Sequence, residues 1–440
     1  MMKNQPIYDA RTLGLPKMTI LGVQHLFAMF GATVLVPMIT GLSMSATLLF
    51  AGLGTLIFHC LTKFKVPAFL GSSFAFLGGY AAVVALGSEA GLSQSQSLTY
   101  ACIGVFCAGL VYFVLAGLVA AFGAKKVMRF FPPIVTGPII ISIGLILSPT
   151  ALNSCSANWW IALTAIVAIV LANVFGKGMV KIIPIIIGVL SSYAVALIFQ
   201  ACGVKVIDFT SVHEAAWIGL PFKMEDTAFA VLKNPDWGLV VSAIITIVPL
   251  SLATMVEHIG DMCAISSTTG KDYLSDPGLH KTLLGDGVAT ALASLFGAPA
   301  NTTYGENTGV LNITQVFDPK VIRIAAVFAI LLSFCPKFAA IVSTMPTATV
   351  GGVSLVLYGM ISSVGVRNMV EAKVDFTKSR NVIVSALILV LAIGVAYGPQ
   401  SIALGPIRFS GLAVAAIIGI FLNAILPGND FEFGKDSSSK

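Results

Sequence analysis

The chain has 440 residues, of which 57% are hydrophobic and only 10% charged, with a mean hydropathy of +0.95. Soluble domains carry about 25% charged residues, so an aqueous globular fold is excluded and an integral membrane protein is indicated. The formal net charge of +6 comes from Lys and Arg scattered through connecting segments, which excludes a nucleic-acid-binding face.

Apolar stretches of the ~20 residues that a helix needs to cross a bilayer recur along the chain. The short alternating segments of a β-barrel are absent. After a polar tail, 1–17, with no cleavable signal sequence, seven spans are expected over 18–38, 43–61, 67–86, 98–122, 132–149, 158–175 and 182–201. A loop over 203–236 carries His213, Trp217 and several acids. Seven further spans are expected over 238–265, 282–298, 300–316, 321–344, 347–366, 381–398 and 410–427, ahead of a tail, 429–440. With a cytoplasmic N-terminus, twenty Lys and Arg fall inside, Lys205, Lys223, Lys233 and Arg408 fall outside, and Lys337 lies within a span. That asymmetry follows the positive-inside rule and predicts that both termini are cytoplasmic.

Seven spans per half is an odd number, so the halves have opposite orientations, as in the inverted repeats of secondary transporters. Aligning Pro67-Ala68 with Pro299-Ala300 sets Phe74 opposite Glu306, and each segment then reads as an irregular arm followed by a helix start. Ser72 or Ser73 in the first, and Thr303 in the second, are candidate helix caps.

The stretch over residues 300–315 is the most unusual in the chain, because it places three Asn, four Thr and Glu306 among apolar spans. Pro299, the β-branched pair Thr302-Thr303, Gly305 and Gly309 oppose a continuous helix. The reading is a broken span with a helix beginning near Gly305, facing protein or a polar cavity. Other acids at membrane depth are Glu257 and Asp261, four apart on one helix face, and Asp286. Pro249 is placed to bend the Glu257 helix, and Gln24 and His25 occupy its inverted counterpart. Buried acids close to one another are suited to exchanging protons near neutral pH, and intramembrane acids couple substrate movement to proton gradients. An ionised carboxylate only accepts hydrogen bonds, so it selects ligands with N–H donors, such as a planar lactam. Seven single Cys, at 60, 102, 107, 155, 202, 263 and 335, show no metal spacing and read as small buried hydrophobes. No HExxH, GxSxG or phosphate loop is present, so no enzyme, metal or cofactor is expected.

The run from Asn301 to Gly309, followed by Thr314, resembles the signature of the nucleobase–ascorbate transporters, also called nucleobase:cation symporters. The likeness extends from Gln24-His25-Leu26-Phe27 through Gly71-Ser72-Ser73-Phe74, Glu257-His258-Ile259-Gly260 and Asp276-Pro277-Gly278-Leu279-His280 to Gly351-Gly352-Val353-Ser354. Glu306 before Asn307 makes it most similar to the bacterial uracil permease branch. The resemblance implies an all-α membrane fold of fourteen spans in two inverted repeats, with short strands in spans 3 and 10. It implies a core domain (18–122 and 238–344) and a gate domain (123–202 and 345–428), with an extracellular loop at 203–237. Pro132-Pro133 and Pro346 would begin corresponding gate helices. The resemblance further implies a homodimer in the bacterial plasma membrane that imports a nucleobase, most plausibly uracil, with protons. Glu257, Glu306, Gly305, Phe74 and Tyr304 would contact the base, and Glu257, Asp261 and His25 would serve proton coupling, His25 by supporting the network around Glu257. Two positions depart from the family pattern: Gln315 ends the signature, and Asp261 stands where some uracil permeases have a His. A xanthine or purine permease is the alternative within the family. An anion carrier of related fold is the alternative outside it, against which the acidic residues argue.

Overall fold

The computed structural model describes residues 6–123, 126–127, 132–399, 401–404 and 407–428. The tail over 429–440 and Lys3, Lys125, Arg129, Lys435 and Lys440, five of the cations that the charge asymmetry rests on, lie outside the described residues. In chain order the main elements of the first half are α1 (Leu15–Thr40), α2 (Met44–Leu61), β1 (Leu70–Ser72), α3 (Leu77–Glu89) and α4 (Gln94–Phe122). They continue with α5 (Pro133–Cys155), α6 (Trp159–Phe175) and α7 (Pro184–Ala201). The second half opens with α8 (Trp237–Ile247), α9 (Leu250–Thr269), α10 (Leu279–Leu295), β2 (Asn301–Thr303) and α11 (Gly305–Thr314). It closes with α12 (Pro319–Ser333), α13 (Pro336–Ser343), α14 (Thr347–Glu371), α15 (Ser379–Tyr397), β3 (Ser401–Leu404), β4 (Ile407–Ser410) and α16 (Gly411–Ile425). Among the described residues, eight helices are long and apolar enough to cross a membrane alone, or nine if the bent pair α12–α13 is one span. Every stretch read as a span from the sequence contains helix.

Local chemistry sets many of the boundaries. Ser93 and Gln96 form a reciprocal capping box at the start of α4, and Asn158 accepts from the Trp160 and Ile161 amides at the start of α6. Gly41 ends α1 in the left-handed region at φ 84°. Pro132 and Pro346 are the N-cap residues of α5 and α14, so both prolines open corresponding helices. Pro249 separates α8 from α9 in a continuous 33-residue span.

The two broken spans meet. β1 and β2 pair antiparallel with Leu70 opposite Thr303, Gly71 opposite Thr302 and Ser72 opposite Asn301. The ladder is extended by Ser73 N to Ala300 O (2.7 Å) and Tyr304 N to Phe69 O (3.0 Å). Its outer edges are covered by side chains. Leu70 N donates to Thr55 Oγ1 (2.9 Å), and Thr290 Oγ1 donates to Asn301 O (2.9 Å). All six strand residues are buried, so this irregular backbone is enclosed by protein.

The helices pack in two sets, through small residues that let backbones approach. In one set, Gly109 of α4 lies against Ala291 of α10 and Gly52 of α2 against Ala326 of α12. In the other, Gly144 of α5 lies against Tyr358 and Ser362 of α14, and Gly352 of α14 against Ala162 of α6. The strand pair packs on α2 and α10 of the first set, and α9 packs on α11 and touches both α4 and α5.

Three features differ from the sequence reading. The stretch over 321–344 bends by 87° between α12 and α13, where Cys335-Pro336 cannot continue the helix. Lys337 therefore stands past the bend rather than in mid-span: its amide donates to Ala216 O (3.0 Å), and its ammonium sits 4.9 Å from the Trp217 ring centroid. A hairpin, β3–β4, precedes the last helix, where only a connection was expected. The N-terminal segment is anchored as well. Ile7 pairs with the chain after α11, and Tyr8 donates to Thr269 O at the end of α9 (2.7 Å). On a neighbouring connection, Lys65 Nζ lies 2.6 Å from Asp276 Oδ1, and this ammonium holds the Asp276 carboxyl below its usual range.

A methyl group at Gly144 would stand 2.2 Å from the Tyr358 carbonyl, whereas one at Gly359 meets nothing within 4 Å. Gly144→Ala is expected to destabilise the protein by about 1–3 kcal/mol, and Gly359→Ala to be neutral or slightly stabilising. Thermal unfolding in detergent checks both; equal melting temperatures for the two variants would overturn this account of the packing.

Candidate functional site

The strand pair gives rise to two helix starts. After β1 a 3₁₀ turn, Phe74–Phe76, leads into α3, and after β2 the chain enters α11 directly at Gly305. Neither start has a side-chain cap, so Ser72, Ser73 and Thr303 are not the expected caps. Ser72 Oγ instead donates to Thr33 O (3.0 Å), and Thr303 Oγ1 donates to Asp261 Oδ2 (2.7 Å). The start of α11 thus has no capping side chain from its N-cap, and the Glu306 carboxyl lies at the positive end of the helix dipole, beside its own amide.

A cavity of about 660 Å³ lies against these starts. Phe74, Tyr304, Gly305 and Glu306 line it from the broken spans, and Glu257 and Asp261 from α9. The structure thus brings together the residues marked in the sequence on three separate segments, with His25 set apart. Glu257 and Glu306 have no hydrogen-bond or ion-pair partner in another residue among the described residues, the Glu306 carboxyl meeting only its own backbone amide, and both are partly accessible, as is Asp261. Uncommitted carboxylates in a membrane cavity are acceptors awaiting donors. Gly305 is exposed to the cavity, and a β-carbon there would have only Asp261 Oδ1 nearby, at 3.9 Å. The absence of a side chain leaves the backbone open to close approach by a flat ligand.

Tyr304 is held rigidly. Its hydroxyl donates to Ser72 O (2.8 Å) and receives a hydrogen bond from Thr33 Oγ1 (3.3 Å), so its ring fills the space over Gly71. His25 has a different partner from the one expected. Its Nδ1 lies 3.1 Å from the Asn307 amide nitrogen, which also donates to the His25 carbonyl at 3.0 Å. The physical reason is that α1 packs along α11, so His25 supports the helix of Glu306 rather than the Glu257 side of the site. Asp261 likewise has Thr303 as its partner, not Glu257.

Several residues were not evident from the sequence. Ile140 of α5 and Val364, Arg367 and Asn368 of α14 form the opposite wall. Nothing in their local pattern separates them from other helix positions; only the pairing of α5 with α14 brings them to the cavity. Cys263, read as a buried hydrophobe, is exposed and lines the cavity, while Cys102 and Cys155 are buried. A second buried polar pair lies behind α9, where His258 Nδ1 is 3.2 Å from Asp286 Oδ2 and both side chains are fully buried.

The two strand threonines give a contrast. Thr303→Val removes the hydrogen bond to Asp261 and is expected to cost about 1–3 kcal/mol. Thr302 Oγ1 is buried without a partner, so Thr302→Val should cost nothing measurable. Chemical or thermal denaturation of the two variants checks this; comparable losses would contradict the assigned contact.

Comparison with known proteins adds a separate line of evidence. Residues 16–401 match the permease family. The uracil permease of Bacillus caldolyticus is 39% identical over 97% of this chain and 96% of its own. The probable uracil permease of Haemophilus influenzae is 41% identical over 93% of this chain and 94% of its own, and the uracil permease of Escherichia coli K12 is 37% identical over 92% and 90%. In architecture the chain is similar to the transmembrane domain of the cyanobacterial bicarbonate transporter BicA, with TM-score 0.63 and 14% identity over 96% of this chain and 100% of that one. It is also similar to SLC26A9, with TM-score 0.64 and 12% identity over 95% of this chain and 66% of that one. These two likenesses concern the fold. The sequence relatives cover nearly the whole chain at well over a third identity, and on that ground the chain belongs to the permease family, the nucleobase–ascorbate transporters.

Proposed function

We propose that this protein is a proton-coupled symporter that imports uracil across the bacterial plasma membrane. The observation that carries the reading is the pair of uncommitted carboxylates, Glu257 and Glu306, facing one cavity beside the uncapped start of α11. Uracil presents N–H donors to the carboxylates and carbonyl acceptors to helix-start amides, with Phe74 and Gly305 supplying further backbone groups and Tyr304 fixing the strand beside them. Proton coupling is assigned to Glu257 and Asp261, with His25 acting at one remove through Asn307. The relatives named as uracil permeases support the choice of base. A site of acids is poorly suited to anions, despite the architecture shared with a bicarbonate transporter.

In this reading fourteen segments cross the membrane, both termini are cytoplasmic, and the α9–β2 set forms a core that moves against a gate of α5–α7 and α14–α16. The charge asymmetry of the loops supports the orientation. The family resemblance supports a homodimer joined through the gates.

Replacing either carboxylate by an amide converts an acceptor into a group that also donates. Glu306→Gln and Glu257→Gln are each expected to weaken uracil binding by about tenfold to a hundredfold or more, measured by calorimetry on purified protein. Near-normal affinity in both would sink the reading. Asp261→Asn should flatten the dependence of uptake on external pH while leaving binding largely intact; an unchanged pH profile would remove Asp261 from the coupling. Excess xanthine should fail to compete with radiolabelled uracil, and full competition would favour a purine permease.

A further inference from the structure

Glu306 lines two cavities. Besides the main one, a cavity of about 440 Å³ runs along the other flank of α11, lined by Glu306, Gly309 and Asn312 and by Lys181 ahead of α7. Among the described residues, Glu306 is the only one common to both linings. Glu306, Gly309 and Ile313 share one face of α11, so the second cavity follows that face away from the strand pair. Gly309 keeps it open: a β-carbon there would sit 3.7 Å from Ile182 Cγ1, and a longer side chain would fill the passage. Asn312 and Lys181 are exposed, which gives this cavity a polar mouth with one cation.

We propose that Glu306 is served by two separate approaches, the main cavity for the base and the cavity along Gly309 and Asn312 for the proton. The proposal rests on the transport reading given above. A base hydrogen-bonded to Glu306 covers the carboxyl from the main cavity, so proton exchange with the base in place needs another face. In the release step the Glu306 O–H bond breaks, the proton passes to a water molecule in the second cavity, and the carboxylate remains as an acceptor. Lys181 is the only cation lining this cavity among the described residues. The other charged or titratable groups facing Glu306 are Glu257, Asp261 and Cys263 from α9, Tyr304 ahead of α11, Arg367 and Glu371 from α14, and His25 from α1 through Asn307. None of these lines the second cavity. The consequence for the transport cycle is order: the proton can leave while the base is still seated.

The test uses the full-length protein. Native Cys263 reports on the main cavity, and an Asn312→Cys variant reports on the second. Both thiols are labelled with a small water-soluble methanethiosulfonate and quantified by peptide mass spectrometry, with and without uracil. At about 100 times its Kd, uracil leaves about 1% of sites free, so labelling of Cys263 should slow by up to about a hundredfold while the introduced thiol reacts at its original rate. Protection of both thiols, or no labelling of the introduced thiol even without uracil, overturns the proposal. Protection of neither removes the substrate reading, and the proposal with it. A second variant, Gly309→Leu, fills the passage. It should keep uracil affinity within a few-fold and lower proton-driven uptake by about tenfold or more. Retained affinity together with full uptake overturns the proposal, and retained affinity also shows that the variant is folded.

Discussion

Everything at the site depends on satisfying a few peptide groups in the middle of the membrane. An unpaired N–H or C=O there costs several kcal/mol, and breaking two spans exposes a set of them. The β1–β2 pair answers that cost by turning each interruption toward the other. Thr55 and Thr290 then close the edges that a two-stranded ladder would leave open. Once the strands are paired, the positions of Phe74, Tyr304, Gly305 and Glu306 follow from the chain, since each lies within three residues of a strand end. Glu257 and Asp261 are brought in by the Thr303–Asp261 contact. A pairing six residues in extent therefore organises residues drawn from three distant segments.

The two sets of helices divide the work chemically. Glu257, Asp261 and Glu306 lie with the strands and the uncapped helix starts, and α5 and α14 contribute Ile140, Val364, Arg367, Asn368 and Glu371 to the facing wall. Recognition chemistry thus sits within one packed unit, with its geometry fixed by internal hydrogen bonds. Glycine-mediated contacts such as Gly109 with Ala291 keep each unit tight within itself.

Much of this was legible in the sequence because membranes make backbone and charge placement expensive. The broken spans showed themselves through Pro, Gly and paired Thr, and the acids through their rarity among apolar residues. What stayed hidden depended on lateral packing. The sequence placed His25 on the helix that mirrors the Glu257 span, but not the rotation that turns it to Asn307. Thr303 looked like a cap because capping is the usual local use of Thr, and a carboxylate from another helix competed for it. Lys337 looked anomalous only because the bend at Cys335-Pro336 was not recognised as a corner. The apolar wall residues carry no signal of their own.

The uncapped helix starts bear on the electrostatics of the whole site. Four carboxyl groups line this cavity, those of Glu257, Asp261 and Glu306 and that of Glu371 on α14, and Arg367 is the only basic side chain among the described residues that lines it with them. It stands on the opposing set of helices, 3.6 Å from Glu371. Within the acidic unit, the available positive charge is fractional and made of backbone: the amide ends of the two helices that leave the strand pair, each worth roughly half an elementary charge. Such charge cannot be neutralised by solution pH or moved by a rotamer change. It gives the acids a counter-field set by the backbone of their own unit, independent of any side chain on the facing wall.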